Sequence, residues 1–337
     1  MRRTGSPNLA DVAREAGVDI STASRALNGR IGPRSKVRER VLEAARRLNY
    51  RPNPLGRALV LGRTRTIGLL VSDIRNPFMT DLARAVEETA HQAGFDLLLC
   101  NSGLDRDKQM QYFSALLDKR VGGLILNFVP PLDRAQHQQI AASGIPVVLL
   151  SPAPRGSPLS TVCCENLRGG ELVGEYLIRL GHRRLAHLTG SLAHPNFAAR
   201  WRGFRRTVQT LAPDCQLILL RGMHDFQGGY AMAQRLLRHH PHVTGVFAAN
   251  DAIAFGALAA FHAAGVKIPD DVSLVGFDDV ELAGIAHPPL TTVHQPVAEI
   301  GRAAVEIIVR QWHGGLSAPL HLRFSVSLVE RDSCRAI

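Results

Sequence analysis

The chain contains 337 residues, of which 45% are hydrophobic, a composition typical of a globular protein and not of a disordered or fibrous one. It has 40 Lys and Arg against 29 Asp and Glu, and residues 1–65 alone hold 15 of the former and 5 of the latter. A strongly basic segment joined to a nearly neutral remainder indicates a polyanionic partner, with nucleic acid expected before an anionic membrane surface.

Neither a membrane span nor a signal peptide is predicted. No stretch approaches the ~20 uninterrupted apolar residues that a membrane helix needs, and no apolar region follows Met1. We therefore expect a cytoplasmic protein without a membrane partner. The odd number of cysteines and the absence of a Cys-x-x-Cys pair favour free thiols over a disulfide framework or a zinc knuckle. The cysteines are Cys100, Cys163, Cys164, Cys215 and Cys334.

Three short helices are predicted in the basic segment, because apolar residues recur there at intervals of three and four. Asn8 and Asp19 are expected to cap the first two helices, since their side chains can accept hydrogen bonds from free backbone N–H groups. The third helix is expected to end before Pro52, because a proline disfavours helical backbone in the residue before it. The predicted helices cover residues 9–16, Ile20–Leu27 and residues 37–48.

From Thr66 onward, short apolar runs alternate with stretches of helical periodicity. This alternation predicts right-handed βαβ units and buried parallel sheets, and so many strands favour two doubly wound sheets over one. The proline-rich residues 151–158 are the predicted place of the first crossing between the sheets. The predicted strands are 67–71, 95–100, 123–126, 147–150, 185–189, 217–220, 243–248, 273–277 and 324–328.

A series of motifs runs along the whole chain. They are residues 8–18, 21–28, 48–53, 67–68, 76–78, 120–126, 181–186, 200–204, 250–251, 275–279 and 289–293. In order and spacing they resemble the lactose repressor (LacI/GalR) family. The resemblance implies an all-α helix-turn-helix DNA-binding domain followed by an α/β, two-lobed domain like the periplasmic binding proteins.

The resemblance also implies domain boundaries. It gives a DNA-binding domain over residues 1–53, a hinge helix and linker over 54–65, and an effector-binding and dimerisation domain over 66–337. Within the last of these, the N-lobe comprises about 66–162 plus 294–322, and the C-lobe about 163–293 plus 323–332.

The second predicted helix is polar enough to enter the major groove of operator DNA. By resemblance, Ile20 and Ser21 face base edges, while the remaining contacts to bases or phosphates come from Thr22, Ser24, Arg25 and Asn28. Asp19 stands where the family usually has serine and brings a negative charge near the phosphates. The alternative is a generic three-helix module with a solvated basic face.

Residues 54–60 resemble the hinge helix of the family. Seven residues fall well below the ~12–15 that an isolated helix needs, so this helix should order only when two copies pack on DNA. Leu59 is then expected to insert into a minor-groove step. The alternative is a plain linker with a buried leucine.

Polar residues follow several of the predicted strands, as expected for a ligand site between two doubly wound sheets. Aromatic faces together with Asp, Asn and Arg suit the C–H faces and hydroxyls of a sugar. For any single residue, a helix cap or a loop hydrogen bond is the alternative, and the roles of Glu165 and of Cys163 and Cys164 stay open. By resemblance, the effector site comprises Ser72, Phe78, Asn196, Arg200, Phe226, Asn250 and Asp278.

The sequence as a whole predicts a ligand-responsive transcriptional repressor that binds a pseudo-palindromic operator as a homodimer. A sugar-binding transport protein shares the two-lobed body but lacks the basic domain. An enzyme would need a catalytic motif, and none was found, nor is a cofactor implied. A metal site at His239, His240 and His242 is the weaker alternative to histidines that favour a helix carboxyl end.

Overall fold

The computed structural model describes residues 7–27, 31–50, 62–103, 105–127, 134–153 and 156–337. Two of the predicted DNA contacts, Asn28 and Leu59, lie outside these residues, as does most of the hinge segment. The chain divides into two compact units, Met1–Thr64 and Arg65–Ile337, and each is described separately.

The described residues of the smaller unit form three helices, as predicted for this segment. They are α1 (Leu9–Ala16), α2 (Ile20–Leu27) and α3 (Lys36–Arg47). Asn8 and Asp11 form a reciprocal capping box at the start of α1, and Gly17 ends that helix in the left-handed region at φ 64°. Small side chains in all three helices, among them Ala13, Ala23 and Ala44, are buried together, so the helices approach closely.

The larger unit alternates strands and helices over almost its whole length. In chain order its elements are β1 (Thr66–Val71), α4 (Pro77–Gln92), β2 (Asp96–Asn101), α5 (Arg106–Asp118), β3 (Gly123–Leu126), α6 (Arg134–Ala142), β4 (Val147–Leu149), β5 (Ser160–Cys164), α7 (Asn166–Arg179), β6 (Arg184–Thr189), α8 (Pro195–Leu211), β7 (Gln216–Arg221), α9 (Phe226–His239), β8 (Gly245–Ala248), α10 (Asp251–Ala263), β9 (Ser273–Val275), α11 (Glu281–Ile285), β10 (Thr292–His294), α12 (Val297–Trp312), β11 (His321–Phe324) and β12 (Ser327–Val329).

Two parallel sheets form the framework of this unit. The first has six strands in the order β11-β5-β4-β3-β1-β2, and the second has four in the order β7-β6-β8-β9. Helices cover both faces of each sheet: α4 and α12 pack on one face of the first sheet, and α7 and α8 on one face of the second. Strands buried on both faces explain the nearly continuous apolar runs in the sequence. The strands β10 and β12 form a separate antiparallel pair.

Two details of the predicted strands are wrong. The proline-rich residues 151–158 do not carry the chain to the second sheet, because β5 follows them and pairs with both β4 and β11 of the first sheet. The predicted strand at 324–328 is two strands: β11 ends in the first sheet at Phe324, and β12 begins at Ser327 beside β10. The chain must break its hydrogen-bond ladder there because it passes from one sheet to another.

The helices α7 and α8 cross at backbone contact. A Cβ atom on Gly203 would lie 2.0 Å from the carbonyl oxygen of Leu167, and one on Gly170 would lie 2.0 Å from that of Arg200. Only glycine permits this approach. The crossing therefore fixes the position of Arg200 relative to α7, which matters for the site described below.

Candidate functional site

Helix α2 presents a polar face to solvent and an alanine face to the core. Ala23 and Ala26 are buried, whereas the Ile20 side chain is 53% exposed and Ser21 and Arg25 are exposed as well. This orientation follows from the spacing of the alanines at i and i+3. The predicted base-contacting residues are accordingly on the accessible side, and an apolar side chain as exposed as Ile20 suits contact with a thymine methyl group.

Asp19 caps α2, as predicted, and also accepts hydrogen bonds from two hydroxyl groups that the sequence did not indicate. Its carboxylate accepts hydrogen bonds from the Ser21 hydroxyl at 2.6 Å, the Thr22 hydroxyl at 2.7 Å and the Thr22 backbone N–H at 2.8 Å. These hydrogen bonds, Ser21 first, lower the pKa of Asp19, so the group is charged. Arg25 in turn donates to the Thr22 hydroxyl at 3.2 Å. The hydroxyl groups of Ser21 and Thr22, both predicted to contact DNA, therefore donate hydrogen bonds to Asp19.

A cavity of about 70 Å³ lies between the two sheets of the larger unit, beside the carboxyl ends of several strands. Six of the seven predicted effector residues line it, and the cavity wall also contains residues that had not been assigned to the site. The predicted residues are Ser72, Phe78, Asn196, Arg200, Asn250 and Asp278, and the additional ones include Asn127, Cys163, Cys164, His194, His224 and Gln295.

The Arg200 side chain is only 5% exposed, and four neighbouring groups contact it. Its Nε donates to Asn166 Oδ1 at 2.8 Å, and its Nη1 donates to the carbonyl oxygen of Ala249. The same Nη1 lies 3.7 Å from Asp278 Oδ1, and the guanidinium carbon lies 3.5 Å from the centroid of the Phe277 ring. Burial lowers the pKa of Arg200, and Asp278 opposes that shift. The guanidinium group is therefore preorganised in the cavity wall before any ligand arrives.

Asp278 faces Arg200 across the same wall. Gln295 donates to its Oδ1 at 2.6 Å. Burial raises the pKa of Asp278 to about 7, against the opposing effects of Arg200 and Gln295. Its buried neighbour Asp251 accepts hydrogen bonds from the Thr292 hydroxyl and a backbone N–H, and burial, reinforced by the Asp278 charge, raises the pKa of Asp251 well above its usual value. The cavity therefore contains a carboxyl group whose charge changes near neutral pH.

The backbone is strained where the second sheet reaches the cavity. Asp278 has φ 128° and Asp279 has φ 58°, and such conformations cost on the order of 1–3 kcal/mol each for residues other than glycine. Asp279 accepts hydrogen bonds from Arg331 at 2.7 Å and is paired with His294 at 2.9 Å, and these contacts hold the turn. Arg331 and His294 thus stabilise the turn, and in this conformation the Asp278 side chain lines the cavity.

Phe226 is the one predicted effector residue that does not line this cavity. It is 43% exposed at the start of α9, in an adjoining pocket, because a helix begins there and turns the side chain outward. His224 lines the cavity near the position expected for Phe226, and its Nε2 is buried without a hydrogen-bond partner among the described residues. The sequence signal for His224 was its place two residues after Gly222, just beyond the carboxyl end of β7.

The helix-cap alternative also holds for part of the site. Asn250 caps α10, because its Oδ1 accepts the Ile253 backbone N–H at 2.8 Å, while its Nδ2 donates to the carbonyl oxygen of His224 at 3.0 Å. Asn196 accepts a hydrogen bond from Asn166, the residue that also holds Arg200. The side-chain amides of Asn250 and Asn196 therefore line the cavity while hydrogen bonds within the protein hold them in place.

Within the described ranges, no group of three or more His, Cys, Asp and Glu side chains is arranged to hold a metal ion. Nor is any of the described helices both long enough and apolar enough to cross a membrane.

Comparison with known proteins agrees with this architecture. Residues 8–53 match the model for bacterial regulatory proteins of the lacI family, and residues 175–334 match the periplasmic binding protein-like domain. The chain is 33% identical over 328 residues to the ribose operon repressor of Escherichia coli strain K12, with 96% of this chain and 99% of the repressor covered.

Solved structures are similar over most of the chain. The lac repressor dimer bound to operator and the anti-inducer ONPF has a TM-score of 0.84 and 28% identity, covering 98% of this chain and 100% of that one. A LacI family transcriptional regulator from Enterococcus faecium with bound ribose has a TM-score of 0.72 and 31% identity, covering 81% of this chain and 99% of that one.

A helix-turn-helix unit joined to a two-lobed α/β body with a polar cavity defines a DNA-binding transcriptional regulator and not an enzyme. The chain belongs to the lacI family of bacterial regulatory proteins. The family and the fold class predicted from the sequence are thereby confirmed.

Proposed function

We propose that the protein represses transcription by binding a pseudo-palindromic operator as a homodimer, and that a sugar or sugar derivative in the cavity between the sheets releases it. The observation that carries the effector site is the preorganised pair of Arg200 and Asp278, buried against Phe277 in the wall of a polar cavity. A charged donor and a carboxyl acceptor on an aromatic surface suit the hydroxyls and the C–H face of a carbohydrate.

Operator recognition is assigned to the exposed face of α2, with Ile20, Ser21 and Arg25 toward the base edges and Thr22 and Ser24 at their margin. We assign residues 1–53 to DNA binding, 54–65 to the hinge that carries Leu59, and 66–337 to effector binding and dimerisation. A repressor of chromosomal genes works in the cytoplasm, which is the location we propose.

An apolar surface patch supports the homodimer. Phe226 is 43% exposed, Leu282 is 47% exposed and Ile285 is 75% exposed. Phe226 and Leu282 line the pocket that adjoins the effector cavity, and Ile285 lies on the same short helix as Leu282. Three large apolar side chains this exposed in one region indicate a protein interface. Since one helix-turn-helix reads only a half-site, a second copy of this chain is the partner that operator binding requires.

The test is an electrophoretic mobility shift of the full chain on DNA upstream of the neighbouring genes, with ribose as the first candidate effector and other sugars after it. We expect a specific complex that the correct sugar dissociates. A fragment starting at Thr66 is the control: it should bind the sugar and not the DNA, because the charge excess lies in residues 1–65. A complex that the sugar strengthens would overturn the proposed direction of regulation, and DNA binding by the fragment would overturn the assignment of residues 1–53.

A further inference from the structure

A second pocket, distinct from the effector cavity, opens between α7, α8 and the end of the first sheet. It measures about 830 Å³, within the range typical of small-molecule sites. Helix α8 contributes one wall, while Pro152 and Arg323 contribute the other from the first sheet's side of the molecule. A ligand in this pocket would therefore touch both lobes.

Five of the fourteen residues that line the pocket are arginines. Arg202, Arg205 and Arg206 recur on α8 at i, i+3 and i+4, and all three are exposed on one face of the helix while Phe204 on the opposite face is buried. We call this set of side chains, together with Arg168 of α7 and Arg323 of β11, the arginine pocket.

The charge of the arginine pocket is only partly neutralised. Glu171 pairs with Arg206 and with Arg168, and Glu175 also pairs with Arg168. For Arg202, Arg205 and Arg323, by contrast, no carboxylate of the described chain lies within 4.0 Å of the side-chain nitrogens.

Glu165 is the one further carboxylate in the lining, so an excess of positive charge remains. Like charges gathered in one pocket repel each other unless an anion is bound between them. Guanidinium groups donate paired, parallel hydrogen bonds to phosphate oxygens, which lysine cannot do. We propose that the arginine pocket is a binding site for a small phosphorylated metabolite, separate from the effector cavity.

The two sites share a thin wall. Cys164 lines both of them, and Asn166 lines the arginine pocket while accepting the hydrogen bond from Arg200 Nε. An anion bound beside Asn166 could therefore change the hydrogen bond between Asn166 and Arg200. The site itself does not rest on the proposed function, because its occupancy can be measured without DNA and without the effector.

Trp201 provides a local reporter of binding. The Arg205 guanidinium carbon lies 5.9 Å from the centroid of the Trp201 ring, whereas the only other tryptophan, Trp312, packs against Phe95 in the first lobe. In the full-length W312F variant, Trp201 is then the sole tryptophan. Its fluorescence is to be titrated with ribose 5-phosphate at constant ionic strength, with ribose as the matched probe without phosphate.

We expect a saturable change with ribose 5-phosphate. Any change with ribose, the first candidate for the effector cavity, should be the same with and without the substitutions that follow. Adding R202Q and R205Q together should weaken ribose 5-phosphate binding at least about tenfold, since charge-assisted hydrogen bonds are lost. The control R238Q removes one positive charge, as R202Q and R205Q each do, but from an exposed position on α9. It should leave the affinity for ribose 5-phosphate unchanged. Inorganic phosphate and citrate then distinguish recognition of a phosphate ester from recognition of any anion.

Three results would overturn the proposal. The first is no saturable change with ribose 5-phosphate, and the second is equal affinity in the R202Q/R205Q variant. The third is binding of citrate or an acidic peptide in preference to every phosphate compound. Circular dichroism of each variant separates a lost site from a misfolded chain, and operator binding by the R202Q/R205Q variant should match that of the unsubstituted protein, because these residues lie outside the DNA-binding segment.

Discussion

At the scale of single residues, we predict that Asp19 weakens binding to DNA. Its carboxylate holds the hydroxyls of Ser21 and Thr22, and its charge repels phosphates. D19S keeps a good N-cap and removes both effects. We expect D19S to tighten binding to operator and random DNA alike, by up to about fivefold, because an exposed charge contributes modestly. The measurement is a fluorescence-anisotropy titration at fixed salt.

The matched control for D19S is E39Q, which changes the net charge equally at an exposed position on α3. An equal gain in E39Q would show that net charge alone explains the result. Unchanged or weaker binding in D19S would mean that Asp19 contributes a favourable contact to DNA.

We predict that Asp278 makes effector binding depend on pH near neutrality. Burial raises its pKa to about 7, and a hydroxyl donor is bound better by the carboxylate than by the neutral acid. Effector affinity should therefore be highest above pH 7 and should fall as the pH is lowered from 8 to 6. In D278N we expect an affinity lower by roughly tenfold and nearly independent of pH over this range.

Calorimetric titration with the effector from pH 6 to 8 measures both affinities. His224 also lines the cavity, but burial lowers its pKa, so it stays neutral over most of this range. If D278N retains the pH dependence of the unsubstituted protein, another group is responsible and Asp278 does not bind the ligand.

At the scale of secondary-structure elements, the crossing of α7 and α8 determines where the cavity residues lie. In G203A, the new methyl group would overlap the carbonyl oxygen of Leu167, and backbone must move to accept it. We expect a loss of about 1–3 kcal/mol in the free energy of unfolding and weaker effector binding, since Arg200 shifts with α8. Thermal unfolding and effector titration measure the two effects.

The control for G203A is G315A in the exposed segment after α12, where the nearest atom to an added Cβ is the carbonyl oxygen of Arg310 at 3.6 Å, an ordinary van der Waals contact. There the substitution should be neutral or stabilising by about 0.4–1 kcal/mol, because alanine restricts the unfolded chain. Equal destabilisation by both substitutions would contradict the argument from the helix crossing.

At the scale of the whole molecule, we predict that DNA binding depends on dimerisation through the apolar patch of Phe226, Leu282 and Ile285. I285E places a charge in that patch, and burying it without a partner is unfavourable. We expect I285E to be a folded monomer by analytical ultracentrifugation, with operator affinity reduced at least about tenfold because only one half-site is held.

L211E is the corresponding control, since Leu211 is 54% exposed at the end of α8 and outside the patch. It should remain dimeric and bind operator normally. A dimeric I285E would locate the interface elsewhere on the larger unit.

Signals between neighbouring residues predict several elements directly. Helices α1 to α3 depend on apolar spacing and caps within a few residues, so their bounds agree with the prediction to within one residue. The alternation of apolar runs and helices likewise predicted two parallel sheets, whereas six residues of the cavity wall were predicted from the family resemblance.

The features that join distant parts of the chain depend on packing, which no local pattern in the sequence indicates. Strand β5 was missed because it is stabilised by pairing with β11, about 160 residues away, and not by an obvious apolar run of its own. The choice of His224 over Phe226 for the cavity depends on where α9 begins. The arginine pocket could not be predicted from the sequence for the same reason. Its charged side chains come from α7, α8 and β11, and only packing brings them together.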